Sequence, residues 1–95
     1  MEIEDDSAHS RFVVRLPEGE GELAYKRLGR TLELVHTEVA PALRGRGVGE
    51  ALAHGAVDHA RAKGLRIVAT CPYVQRWLAK HPEHRDLVVA DPAAR

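Results

Sequence analysis

Three sets of residues in this sequence are of types that could do chemistry. The first is "RGRGVGE", Arg44–Glu50, where Gly45, Gly47 and Gly49 stand among Arg44, Arg46, Val48 and Glu50. A strand-like run precedes it and a helix-like run follows, so the glycines fall where a strand gives way to a helix N-terminus. The first N–H groups of a helix have no internal partner, and the helix dipole favours negative charge there, so such a junction can bind an anion. Glycine lets a phosphate approach the backbone with no Cβ in the way. The second set is His36 and Glu38, two ionisable groups at alternate positions near the end of the strand-like run. Side chains of these types are the usual carriers of protons in catalysis. The third is Cys71, followed by Pro72 and Tyr73. A residue before proline avoids the helical region, which suits Cys71 to an N-cap. A thiol there can act as an acid or a nucleophile, or simply fill a small buried space.

Known phosphate-binding motifs narrow the reading of the glycine run. A P-loop needs Lys-Ser or Lys-Thr after its last glycine, and neither is present. A dinucleotide fingerprint needs a glycine where Glu50 stands, and it opens a parallel βαβ unit rather than following an antiparallel meander. A tight turn that merely starts a helix remains the alternative to an anion site. His81 and His84 in "HPEH" have no second cysteine or carboxylate–histidine set nearby, so no metal is expected.

The elements that must position these residues follow from periodicity. Residues 1–10 read as a loose polar arm that could end in a strand. "RFVVRL" (Arg11–Leu16) reads as a strand, "PEGEG" as a turn, and "ELAYKRL" (Glu22–Leu28) and "TLELVHTEV" (Thr31–Val39) as two more strands of an antiparallel meander. A regular pleat would put Leu32, Leu34, His36 and Glu38 on one face, a core running into a cleft. Helical spacing predicts a helix over Val48–Lys63, with Val48, Ala51, Leu52, Gly55, Ala56 and Ala60 on the buried stripe. Glu50, His54, Asp58 and Arg61 fall on the solvated side, and Gly64 marks the stop. "LRIVAT" (Leu65–Thr70) reads as a strand parallel to Thr31–Val39, completing a βαβ crossover. A second helix starts at Pro72 and is closed by Pro82, and "RDLVVA" (Arg85–Ala90) reads as a last short strand. The class is α+β: a mixed sheet, a meander plus a crossover, and two main helices.

Bulk properties bound the function. A chain of 95 residues makes a single small domain, read here as spanning 1–95. Fourteen basic and fourteen acidic side chains cancel, so any anion site is local, and neither nucleic acid nor an anionic membrane is an expected partner. One cysteine permits no intrachain disulfide, the start "MEIEDDSAHS" is no signal peptide, and no apolar run could span a bilayer. The expected location is the cytoplasm. Oligomeric state is left open.

"RGRGVG" fits the Q/R-x-x-G-x-G/A signature of the GNAT superfamily of N-acetyltransferases, with Arg44, Gly47 and Gly49 at the signature positions. Together with "HTEV" before it and "CPYVQRWLAKHPEHRDLV" after it, the chain from Glu22 to Val89 closely resembles a group of very small stand-alone GNAT-like proteins with a Cys-Pro-Tyr block. The resemblance implies a compact GNAT-like fold and acetyl-CoA as cosubstrate. It implies that backbone N–H groups from Arg44 to Glu50 hold the pyrophosphate, with Arg44 and Arg46 adding charge. It implies a pantetheine arm running between two splayed parallel strands beside Val39, whose N–H would serve the oxyanion, with Cys71 and Tyr73 facing the cofactor. Glu38 or His36 would take the proton of an amine acceptor that attacks the thioester directly, and Cys71 could assist as an acid or nucleophile. Superfamily members often carry Asn where Cys71 stands, and a Tyr near Trp77 and Leu78, so this chain departs from the general pattern at both points. Trp77 is expected in the core or against the ligand. The early segment that builds much of the acceptor site in larger members is missing, so a non-catalytic CoA-binding or regulatory module is the alternative.

Overall fold

Strand-forming runs joined by short turns occupy the first half of the chain, and two helices with one strand between them occupy the second. A computed structural model describes residues 1–89. The strands are β1 (Glu4–Asp6), β2 (Arg11–Leu16), β3 (Gly19–Leu28), β4 (Thr31–Val39) and β5 (Arg66–Ala69), and the helices are α1 (Val48–Lys63) and α2 (Pro72–Ala79). The sheet order is β1-β2-β3-β4-β5, antiparallel throughout except for the parallel β4–β5 pair that α1 connects. Gly64 ends α1 in the left-handed conformation, its N–H reaching the carbonyls of Ala60 and Arg61. No helix among the described residues is long and apolar enough to cross a membrane.

The N-terminal arm is not loose. Glu4, Asp5 and Asp6 pair with Val13, Phe12 and Arg11. Their charges find partners across the sheet: Arg11 Nε donates to Asp6 at 3.0 Å, Arg15 donates to Glu4, and Tyr25 donates to Asp5 at 2.7 Å. The acidic composition that suggested a free arm is therefore one side of an interstrand charge ladder. A 3-10 turn, Ser7–His9, joins β1 to β2. β3 begins at Gly19 rather than Glu22, because Gly19, Glu20 and Gly21 pair with Leu16, Arg15 and Val14 and leave only Pro17 and Glu18 for the turn. "RDLVVA" contributes one parallel bridge, Val88 to Ile67, instead of a strand; Ala90 lies outside the described residues.

The core lies between one sheet face and the helices. Phe12, Val14, Leu23, Leu32 and Leu34 pack against Leu52, Ala56, Val57 and Ala60 of α1 and Val74 and Trp77 of α2. The buried stripe of α1 is wider than the sequence pattern suggested, since Ala53 and Val57 join it while Ala51 and Gly55 are half-buried. A stripe flanked by alanines can be shared between a sheet on one side and a second helix on the other.

One irregularity resets β4. Leu34 pairs with Tyr25 and His36 with Ala24, so Val35 is an extra residue with no partner on β3. Beyond this bulge the faces exchange. Leu32 and Leu34 point into the core, but Thr37 takes the inward face opposite the fully buried Leu23. His36 and Glu38, expected to continue the leucine face, turn outward and are 63% and 72% exposed.

Candidate functional site

Parallel pairing of β4 with β5 stops at Leu34–Ala69. The Leu34 carbonyl accepts the N–H groups of both Thr70 and Cys71, each at 3.0 Å, as the chain turns into α2. Val35–Val39 of β4 therefore continue with no strand on that edge among the described residues. A cleft of about 720 Å³ opens there. His36, Thr37, Glu38 and Val39 form its strand wall, and Leu43 and Val48 its apolar base. Arg44, Gly45, Gly47, Gly49 and Glu50 form its loop end, and Tyr73 stands over them.

The loop end is built for approach to backbone. A short 3-10 helix, Pro41–Leu43, anchors it through the fully buried Leu43. Gly45 and Gly47 follow with φ of 79° and 80°, a conformation that L side chains adopt only with strain. Gly47 is the N-cap of α1, and no side chain caps the helix. The first N–H bonded back along the chain is that of Ala51, to the Gly47 carbonyl at 3.0 Å. The N–H groups of Val48, Gly49 and Glu50 thus have no acceptor within the helix, the orphan set that an anion can satisfy. A Cβ at Gly49 would meet the Tyr73 hydroxyl at 3.0 Å, so glycine lets the Tyr73 ring rest on the first turn of α1. Burial, followed by the nearby Glu50 carboxylate, pushes the Tyr73 phenol above its ordinary value and keeps it protonated as a donor.

Two residues singled out by sequence do not line this cleft. Arg46 turns to Glu18, 3.2 Å away. The Glu18 carboxyl is held below its ordinary range first by its own backbone N–H and then by Arg46. Cys71 caps α2 as its place before Pro72 suggested, but it is 3% exposed and lies behind the strand wall. Its Sγ sits 3.4 Å from the Thr37 hydroxyl. Thr37 is the polar residue that sequence reasoning missed, because only the bulge at Val35 turns it inward. His36 and Glu38 do reach the cleft, with Nε2 3.8 Å from Oε1.

The remaining candidates lie elsewhere. Trp77 is 5% exposed and buried against His54, His81 and His84, the His81 ring stacked on it with centroids 3.9 Å apart. A second cleft of about 770 Å³ lies between β5, α2 and Val88–Val89, and none of the sequence candidates reaches it.

Known proteins resemble this chain in sequence, and one solved structure resembles it in fold. Residues 11–87 match the model of the GCN5-related N-acetyl-transferase family. Protein NATD1 of Bos taurus is 36% identical over 85 residues, covering 86% of this chain and 75% of that protein. Protein NATD1 of Homo sapiens is 35% identical over 85 residues, with the same 86% and 75% coverage. The solution structure of a GCN5-like N-acetyltransferase candidate from Staphylococcus aureus superimposes with a TM-score of 0.73 at 27% identity, covering 95% of this chain and 89% of that one. A compact mixed sheet, a glycine turn opening the crossover helix, and a family match across nearly all of the described chain lead to one conclusion: the protein belongs to the GCN5-related N-acetyltransferases, the GNAT superfamily.

Proposed function

We propose that the protein is an acyl-CoA-dependent N-acyltransferase that passes the acetyl group of acetyl-CoA to an amine by direct attack. One observation carries the reading. A single cleft joins three uncapped helix N–H groups at one end to the strand edge that bears His36 and Glu38 at the other. Charge-assisted bonds to backbone N–H are strong and need no side-chain ordering, which suits the N–H groups of Val48, Gly49 and Glu50 to a pyrophosphate. Arg44 adds positive charge at the entrance, and the Tyr73 phenol is a donor beside the same turn. Bound acetyl-CoA supplies an activated acyl group. Along the strand wall, Val39 would offer its N–H to the oxyanion, and Glu38 or His36 would accept the proton that the attacking amine loses, directly or through water.

A specific feature favours a second reading, in which the chain binds CoA without turnover. Between β1 and β2 there is only the turn Ser7–Ser10, where larger members of the superfamily carry helices that shape the acceptor site. The test is thiol release from acetyl-CoA across a panel of amines, alongside calorimetric titration with CoA. Amine-dependent release supports the acyltransferase. Tight CoA binding with no release for any amine supports the binding module, and no binding sinks both.

A further inference from the structure

Thr37 faces the core side of β4 only because Val35 bulges; in a regular pleat it would point outward with Glu33 and Val35. Its cross-strand neighbour is the fully buried Leu23. The hydroxyl of half-buried Thr37 lies 3.4 Å from the Cys71 thiol. Cys71 is itself fixed: its N–H donates to Leu34 at 3.0 Å and its carbonyl accepts from Gln75 at 2.9 Å. The thiol does not line the cleft, whereas Thr37 does. Among the described residues, Thr37 is the polar side chain that touches both.

We propose that Thr37 is the group through which Cys71 acts on the cleft: its O–H donates to the sulfur that leaves as the amide forms, while its oxygen takes the Cys71 proton. This rests on the acyl-transfer reading above. The step balances. As the carbon–sulfur bond breaks, its electron pair stays on the leaving sulfur. The Thr37 O–H bond breaks as the new S–H bond forms, and the Cys71 S–H bond breaks as the Thr37 O–H bond is remade. The charge comes to rest on Cys71 at the N-terminus of α2, where the helix dipole favours it. The proton that the amine loses to Glu38 or His36 passes through the cleft to the Thr37 hydroxyl, which hands its own proton back to the Cys71 thiolate. Cys71 forms no bond to carbon in this scheme.

The test uses the full chain, in which Cys71 is the single thiol. Alkylation by iodoacetamide is followed at fixed pH without CoA, in wild type, Thr37→Val and Thr37→Ser. Loss of the hydroxyl removes a hydrogen bond to the reacting thiolate, so Thr37→Val is expected to alkylate about tenfold more slowly, and Thr37→Ser close to the wild-type rate. If Thr37 merely shields the thiol, Thr37→Val reacts as fast or faster, and the proposal is overturned. In turnover, Thr37→Val and Cys71→Ala are each expected to lose about 10²-fold, with the double variant no slower than the slower single one, because both cut one relay. Full-speed Thr37→Val, or fully additive losses, would overturn the relay and leave acyl transfer standing. Absence of turnover in wild type, with slow alkylation of Thr37→Val, would instead sink acyl transfer and keep the Thr37–Cys71 coupling.

Discussion

If the loop holds a pyrophosphate by backbone, then its glycines outweigh its arginines in CoA affinity. Gly47 makes the sharper test. A Cβ there meets nothing within 4 Å, so Gly47→Ala introduces no clash and acts only through φ, which stands at 80°. Holding alanine in the left-handed region costs about 1–2 kcal/mol. The chain can relieve that strain by rotating the turn, which swings the N–H groups of Val48 and Gly49 off the anion. Losing one charge-assisted hydrogen bond is worth about 1.5–3 kcal/mol, or about 10- to 100-fold in affinity. Arg44 is exposed, and its attraction is screened, so Arg44→Ala should cost at most about 1 kcal/mol and less at high salt. Gly47→Asn is the control, because asparagine tolerates positive φ far better than alanine. Calorimetric titration with CoA at two salt concentrations is expected to rank wild type, Gly47→Asn, Arg44→Ala and Gly47→Ala in falling affinity. Wild-type affinity in folded Gly47→Ala, together with a larger loss in Arg44→Ala, would refute the backbone argument and make the site one of side-chain charge.

Gly49→Ala is expected to weaken CoA in the same titration by a different route: its Cβ would lie 3.0 Å from the Tyr73 hydroxyl oxygen and 3.1 and 3.3 Å from two of its ring carbons and displace the ring, so Tyr73→Phe, which keeps the ring, should not restore the affinity. Glu38→Gln and His36→Asn should each leave CoA affinity within a few-fold of wild type while slowing amine-dependent turnover by about 10²-fold for whichever is the base; equal, full rates in both would remove them from the chemistry. Rapid-quench mass spectrometry of wild type with acetyl-CoA and no amine should find no acetyl group on Cys71, and a stoichiometric adduct would replace direct attack with a covalent route. Of the two tyrosines, Tyr25 is pushed up to about 12 by burial and then by its bond to Asp5, and Tyr73 is raised by burial. Both phenols are raised above the value of about 10 expected in the unfolded chain. The stability they contribute is therefore complete below pH of about 10 and lost as pH rises through the folded values. Ultraviolet titration should show ionisation shifted above 10 in the folded protein and back near 10 in denaturant, with Asp5→Asn lowering the Tyr25 step; unshifted ionisation in the folded protein would contradict the packing around Tyr25.

The bounds of α1 were legible from its start in the glycine turn and its stop at Gly64, since both are set by residues acting on their own backbone. So were β2, β4 and the crossover, because alternation and helical spacing are local signals. The glycine run announced a positive-φ turn and an uncapped helix start for the same reason: φ and orphan N–H groups depend on a handful of neighbouring residues. The acidic arm was misread because β1 exists only through partners on β2 and β3, and a charge looks solvated until its counter-charge across the sheet is known. The strand wall was misread because one unpaired residue, Val35, inverts every side chain after it. Nothing in "LELVHTEV" marks which residue bulges; only the pairing with β3, which passes from Leu34–Tyr25 to His36–Ala24, reveals it. The sequence by itself determined that a glycine turn would open a helix with uncapped N–H groups. Only the tertiary structure decided that Thr37 lines the cleft and Cys71 does not, because a strand's facing is fixed by its neighbours and not by its own residues.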